Sequence, residues 1–548
     1  MNRKQEMKSS RLVADWRTLI RTFVRPESDA VKSSLLKYME QILFELYDFL
    51  QKNVGITEEM SLVAMCEQHK DTRISKTPEM KLPEVISDLI QNIAPHAVNV
   101  SSPYFIGHMT SAIPFFMVHL KTIVAALNQN VVKMETSKVF SVVERQVTAK
   151  VHRLVYRLSD SFYAENVHDT AATLGVFTEG GTTANMTAMW VARNSVFAPK
   201  KGFEGVEAEG LAAAYGAYGV DRAVVLVSRR AHYSFRKAGG VLGIGNRNIV
   251  SVDVDENNRM DLAALTATIA GLREGGRTAI LAVVGIAGTT ETGNVDPLGE
   301  IAGICAKEGI HFHVDAAWGG PCLVSEKYSD LLKGVELADS VTIDGHKQFY
   351  MPMGCGMVFF RNPKSLDHIA YYANYVNREG SVDLGIKSLA GSREANSMVL
   401  HCALKIMGTK GYALLIDHGI ELARAFAAEI AQRPDFQLVT APELNLLTYR
   451  VCPADVQKAL AEGSPKLRKR LNERLNELNK AVQRKQREAG NSFVSRTVLR
   501  DFALSDECVV VFRCVLMNPM TDMTILRDIL DEQQEIYGDM FNAFVRLD

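Results

Sequence analysis

The chain has 548 residues, 47% hydrophobic and 23% charged, with 62 Lys plus Arg against 63 Asp plus Glu for a formal net charge of -1. That composition excludes disorder over most of the length and leaves enough chain for a large core. It also argues against nucleic acid or an anionic membrane as the main partner.

The first eleven residues carry charge with no apolar stretch behind them, so they do not read as a secretory signal. Residues 1–95 read as helical, with Leu35, Leu36, Met39, Ile42, Leu43, Leu46 and Tyr47 recurring on one face. From about 170 to 362, β-branched runs at 223–228, 249–254, 278–284, 310–314, 340–343 and 357–360 alternate with helix-length stretches. Near-continuous apolar strands separated by helices predict a mostly parallel sheet covered on both faces. From about 396 a helix, a charged helix over 465–488 striped by Leu467, Leu471, Leu475, Leu478 and Val482, a strand at 508–515 and a closing helix at 524–537 predict a small α+β unit. The division expected is therefore 1–95, 96–395 and 396–548. Apolar runs such as 280–287 are too short to cross a bilayer. The eight cysteines contain no Cys-x-x-Cys pair and read as buried free thiols of a cytoplasmic protein.

Ligands of a parallel sheet bind beyond the carboxyl ends of its strands, so the chemistry is sought there. The strand at 340–343 runs into Asp344, Gly345, His346 and Lys347; a lysine in such a mouth can act as an amine nucleophile, or be an ordinary surface lysine. The preceding strand ends in Asp315, followed by Ala316 and Ala317, where small residues let a flat ring approach. His311, His313 and Asp315 alternate onto one strand face, which leaves a metal site as a rival reading. Gly180, Gly181, Thr182 and Thr183 open a helix and suit a phosphate, or simply cap it. His232 follows the strand at 223–228 and could lie over a ring or pack in the core.

Each signal is weak alone, but their order is specific. Gly-Gly-Thr-Thr, then Ala-His-Tyr-Ser, then Asp-Ala-Ala-Trp, then His-Lys resembles the group II pyridoxal-phosphate-dependent amino-acid decarboxylases over roughly residues 95–540. The resemblance implies the aspartate-aminotransferase-like (fold type I) α/β architecture and an obligate homodimer with active sites at the subunit interface. It implies pyridoxal 5'-phosphate attached at Lys347, with Asp315 keeping the pyridine nitrogen protonated. His232 would stack on the ring, Ala317 would pack on its other face, and Thr182, Thr183 and His346 would hold the phosphate. Gly288, Thr289, Thr290, Gly293, Asp296 and Pro297 match a further segment near the cofactor. Tyr375, in a loop between about 367 and 389, would supply the proton to Cα, and Arg393 would grip the substrate carboxylate.

Substrate choice is expected from residues 104–109 and 127–135, where His108, Asn128 and Asn130 offer polar groups to an acidic side chain. The overall wording is closest to the bacterial aspartate 1-decarboxylase branch, which implies L-aspartate to β-alanine for pantothenate and coenzyme A supply. L-Glutamate to 4-aminobutyrate is the nearest alternative. A metal-dependent hydrolase on His311, His313 and Asp315, and a non-catalytic member of the fold, remain as readings of other classes.

Overall fold

The computed structural model describes residues 15–16, 29–51, 54, 62–373, 381, 383–501 and 507–544. Two sheets organise it. The larger contains β1 (Gly175–Thr178), β2 (Arg222–Ser228), β3 (Ile249–Val252), β4 (Thr278–Ile286), β5 (His311–Asp315), β6 (Ser340–Asp344) and β7 (Gly356–Phe360). Their order across the sheet is β1-β7-β6-β5-β4-β2-β3. Strands β3, β2, β4, β5 and β6 run parallel, and β7 is antiparallel to both β6 and β1. This is the mostly parallel α/β sheet expected. The central strands are buried over most of their length, with only the first residue of β2 exposed and the first three of β4 half-buried, as in sheets covered by helices on both faces.

Register decides where the strand ends fall. Ile286 is opposite Asp315, Asp315 opposite Thr342, and Asp344 and Thr178 both opposite Gly356. The segments that follow β1, β2, β4, β5 and β6 therefore leave one edge of the sheet side by side.

The second sheet has the order β10-β11-β9-β8, all antiparallel, from β8 (Phe436–Thr440), β9 (Leu446–Val451), β10 (Ser495–Asp501) and β11 (Glu507–Val515). The helices Pro465–Ala489 and Met523–Phe544 cover it. On the first of them Leu471, Leu475, Leu478 and Val482 are buried, so the apolar stripe packs inward. The segment 104–107 also joins this unit: Ile106 N–H donates to Phe493 O, and Val515 N–H donates to Ile106 O.

The helix Asn396–Gln432 links the two units. It bends at Gly408 (φ 61°), burying Val399 to Ile416 in the first core and Leu422 to Ile430 in the second. Among the described residues it is the one helix long and apolar enough to cross a membrane, and part of its apolar surface is buried in these two cores while Ile406 and Leu414 are exposed. The cysteines divide: Cys305, Cys322, Cys355, Cys452 and Cys514 are buried, whereas Cys66 and Cys508 are exposed, against the expectation of general burial. The helix Asp29–Leu50 forms where its apolar periodicity predicts, yet Leu36, Leu43, Phe44 and Tyr47 face outward on this chain.

Candidate active site

A cavity of about 330 Å³ opens at the shared strand edge, lined by residues that include Thr182, Thr183, His232, Thr290, Asp315, Ala317, His346 and Lys347. Strand order brings these together from positions up to 165 residues apart (182 to 347). Lys347 Nζ lies 3.0 Å from Asp344 Oδ2. His346 Nδ1–H donates to Cys355 O at 2.7 Å, which orients its ring at the cavity wall.

Asp315 is buried and held by a chain of neutral groups. Its Oδ1 accepts from Ala317 N–H at 3.1 Å, and its Oδ2 accepts from Asn185 Nδ2 at 2.9 Å. A carboxylate only accepts, so Asn185 must turn its amide NH₂ toward Asp315 and its carbonyl away. That carbonyl takes His313 Nε2–H at 3.2 Å, while His313 Nδ1 accepts from Ser340 Oγ at 2.9 Å and Ser340 accepts from His311 Nε2 at 2.8 Å. The His313 imidazole is pulled down to about 3, first by burial and then by His311, so it sits neutral as this pattern requires. Both of its nitrogens are committed, which removes it as a metal ligand despite its alternation with His311 and Asp315. Among the described residues no group of three or more His, Cys, Asp or Glu could hold a metal.

His232 follows β2 and accepts the Ser234 N–H through Nδ1 at 3.3 Å. Its pKa is lowered by burial, with Asp315 opposing and Lys347 reinforcing the shift, which favours a neutral ring on the cavity wall. Glycine is demanded where the backbone crowds. Gly288 has φ 94°, and a Cβ there would meet Trp318 Cδ1 at 2.9 Å. Asp296 braces the same β4 loop by accepting Met260 N–H at 2.7 Å and Ile286 N–H at 2.8 Å, and burial pushes it up to about 7.

Other expected site residues lie elsewhere. Arg393 does not line this cavity. Its guanidinium is buried in a bidentate pair with Glu144, Nη1 to Oε2 at 3.0 Å and Nη2 to Oε1, so its fork is already filled. Asn130 accepts the Arg393 backbone N–H at 3.1 Å, and Asn128 ends the helix Phe115–Leu127 in a left-handed turn (φ 47°), exposed. Neither amide lines the cavity. His108 lies beside it in an adjoining, largely apolar hollow of about 630 Å³ that shares His346 and Met353. Its pKa is lowered by burial and by the cations Arg513 and Lys347. Tyr375 falls outside the described residues. Tyr371 donates to Glu207, and Tyr372 is exposed.

Sequence reasoning missed Asn185 and Arg513. Asn185 stood inside the Gly-Gly-Thr-Thr segment, and a polar residue among small and apolar ones was its only signal. Arg513 on β11 reaches across from the second sheet: Nε donates to Thr290 O at 2.6 Å, and Nη1 donates to Gly107 O at 3.1 Å and Ser495 Oγ at 3.2 Å. Burial pulls it down to about 10, and none of the described carboxylates lies within ion-pair distance. A network of Trp318 Nε1 to Asn445 Oδ1 (3.1 Å) and Asn445 Nδ2 to Gln348 Oε1 (3.2 Å) pins the second sheet to the strand-end turns.

These features ask for a particular kind of ligand. A helix start with two glycines and two threonines suits a phosphate, the His232–Ala317 slot a flat ring, the buried Asp315 a protonated ring nitrogen, and the Lys347 amine an aldehyde. Asp344 Oδ1 is buried without a partner beside that helix start, so the polar complement of the cavity is not closed by the chain alone. Pyridoxal phosphate meets every one of these demands, and the class so defined is the pyridoxal-phosphate-dependent enzymes of fold type I.

Comparison with known proteins gives the family. The pyridoxal-dependent decarboxylase conserved domain matches residues 64–452, and the chain belongs to this family: it is a carboxy-lyase whose cofactor is pyridoxal phosphate. It is 45% identical over 524 residues to the aspartate 1-decarboxylase of Aliivibrio fischeri, covering 95% of each chain. It is 28% identical over 460 residues to the acidic amino acid decarboxylase of Mus musculus, covering 82% of this chain and 76% of the relative. In structure it matches the glutamate decarboxylase domain of a diaminobutyrate enzyme of Vibrio parahaemolyticus with TM-score 0.78 at 22% identity, over 96% of this chain and 100% of that one.

Proposed function

We propose that the protein removes the α-carboxylate of an acidic amino acid, L-aspartate, giving β-alanine and CO₂ for pantothenate and coenzyme A supply. The observation that carries this is the 45% identity to an aspartate 1-decarboxylase over 95% of both chains. When bound, pyridoxal phosphate supplies an electron sink for the pair left behind as CO₂ departs.

The chain's own residues divide the remaining work. Lys347 would hold the cofactor through its amine. Asp315, oriented by Asn185, would favour a protonated ring nitrogen, and His232 and Ala317 would line the ring's site. Thr182, Thr183, His346 and Thr290 would hold the phosphate end. Arg513 is the candidate partner of a substrate carboxylate: like Arg393 it is not among the residues lining the cavity or the adjoining hollow, but its hydrogen bonds go to carbonyls and a hydroxyl where those of Arg393 go to a carboxylate. Tyr375 supplies the proton that replaces CO₂ at Cα. Exposed Leu36, Phe44, Tyr47 and Phe115 support a homodimer, since apolar side chains at this density on a free surface mark contacts with another chain. A cytoplasmic location and the division 1–95, 96–395 and 396–548 complete the reading.

Product analysis with L-aspartate, L-glutamate and cysteine sulfinate in parallel tests the substrate. Preference for aspartate is expected, with measurable glutamate turnover, because one methylene is worth only about 1–3 kcal/mol. Preference for glutamate would replace the first reading by 4-aminobutyrate formation, and equal turnover of tyrosine or DOPA would overturn the acidic substrate. Replacing Tyr375 by Phe should raise the ratio of transamination to decarboxylation; an unchanged ratio places the proton elsewhere.

A further inference from the structure

Two buried guanidiniums and one carboxylate meet where the second sheet faces the loop after β4. Arg230, in the turn after β2, is 7% exposed. Its Nη1 donates to Glu291 Oε2 at 2.9 Å, and its Nε and Nη2 donate to Asn258 Oδ1 at 3.1 and 2.6 Å. Glu291 Oε1 accepts from Thr497 Oγ1 at 3.0 Å. Arg513, also 7% exposed, donates to Thr290 O, the carbonyl just before Glu291, and to Ser495 Oγ. Its Nη2 donates to none of the described residues. Ser495 and Thr497 are two positions apart on β10, so their side chains share a face. One hydroxyl holds Arg513 and the other holds Glu291.

Glu291 is thus a neighbour of Arg513 that pairs with Arg230 instead. Burial lowers Arg513 to about 10, and Cys514 and then Glu291 oppose that fall, so the carboxylate is felt there without touching. Two cations against one carboxylate leave one positive charge unmatched, and a buried cation is stabilised by an anion brought to it. We propose that Arg230 is a positioning residue for substrate selection, holding Glu291 away from Arg513 and so keeping the Arg513 guanidinium open to a substrate carboxylate. Without Arg230, Glu291 would turn to the nearest remaining guanidinium. A carboxylate tethered in the chain competes at high effective concentration with any carboxylate arriving from solution. The proposal deepens the acidic-substrate reading and rests on Arg513 as the carboxylate partner.

Arg230 also lines the cofactor cavity, so the test keeps pyridoxal phosphate in excess and checks its occupancy by absorbance in every variant. It measures KM and kcat for L-aspartate, and inhibition by succinate, a dicarboxylate with no amine to react. Arg230→Met should raise KM and the succinate inhibition constant about tenfold or more, the low end for a charge-assisted hydrogen bond, and change kcat less. Glu291→Gln alone should leave both constants near the wild type. Added to Arg230→Met, it should return them to within about twofold, the usual error of such a cycle. Arg230→Lys keeps a cation on Glu291 and should raise KM less than Arg230→Met. An unchanged KM in Arg230→Met overturns the proposal, and so does a rise that Glu291→Gln fails to undo, which a merely structural arginine would give. Should Arg230→Met not fold, Thr497→Val removes the other tether of Glu291: KM must rise and Glu291→Gln must reverse it, and any other result overturns the proposal. Arg513→Met separates the two failures. If it raises KM while Arg230→Met does not, only the role of Arg230 falls; if it leaves KM unaltered, the carboxylate partner falls and this inference with it.

Discussion

Neutralising Glu144 is the sharpest probe of what Arg393 does. The two side chains come from positions 249 apart and are 3% and 6% exposed. Burial pulls the guanidinium down, and the Glu144 carboxylate more than restores it, so the net shift is upward. Arg393 Nε already lacks a partner. Glu144→Gln keeps the shape and leaves a buried cation uncompensated, which costs about 3–5 kcal/mol. An unfolding entropy of about 2.1 cal/mol/K per residue over 548 residues gives about 1.2 kcal/mol per degree, hence a fall in Tm of about 3–4 °C. Differential scanning fluorimetry at fixed protein and cofactor concentration reads this directly. The double variant Glu144→Leu with Arg393→Met should recover most of the loss, since apolar replacement of a whole buried pair is often neutral. If Arg393→Met instead left Tm unchanged and raised the KM for aspartate a hundredfold, Arg393 would be gripping substrate and its structural role would be refuted.

Four further outcomes are expected. Lys347→Ala should abolish the borohydride-stable adduct, and mass spectrometry finding it on another lysine would refute the assignment. Asp315→Asn replaces a charged acceptor by a neutral one and should slow CO₂ release by about 10- to 150-fold, the equivalent of about 1.5–3 kcal/mol for a charge-assisted hydrogen bond; manometry showing near-normal rates would remove its role. Arg513→Met should raise KM for the acidic substrate far more than it changes cofactor binding, and unaltered KM would exclude it as the carboxylate partner. Burial lowers His152 to about 4 and His313 to about 3. The unfolded chain protonates both near 6.5 and the folded chain does not, so stability is full above about pH 6.5 and falls on acidification. The slope approaches two protons, about 2.7 kcal/mol per pH unit, near pH 5, and declines toward pH 4 as the folded chain begins to protonate His152. Urea midpoints across that range should show it, and His152→Gln should roughly halve the acid limb.

The sheet was legible because its information is local. Each central strand is a short apolar run with a turn behind it, and the boundaries moved by only one or two residues, as where β4 continues to Ile286 and β3 stops at Val252. Of the second sheet only β11 was read; β8 is half-exposed and short, with no unbroken apolar run to announce it, and β9 and β10 were not read either. One extra feature at the site came from afar. Tyr350, three residues past Lys347, takes a left-handed φ of 56° and donates to Met517 O at 2.7 Å, tying the lysine turn to the second sheet through a contact 167 positions away.

The order of residues along the chain was enough to place Lys347, Asp315, His232 and the threonine cradle at strand ends, because a strand and the turn after it are specified within about ten positions. It could not rank one arginine against another. Arg393 and Arg513 carry the same charge and the same fork, and they differ only in what folding sets opposite them: Glu144 in one case, backbone carbonyls and a hydroxyl in the other. Whether a buried cation is spent on structure or left for a substrate depends on its partners, and those partners are chosen by packing between elements hundreds of residues apart.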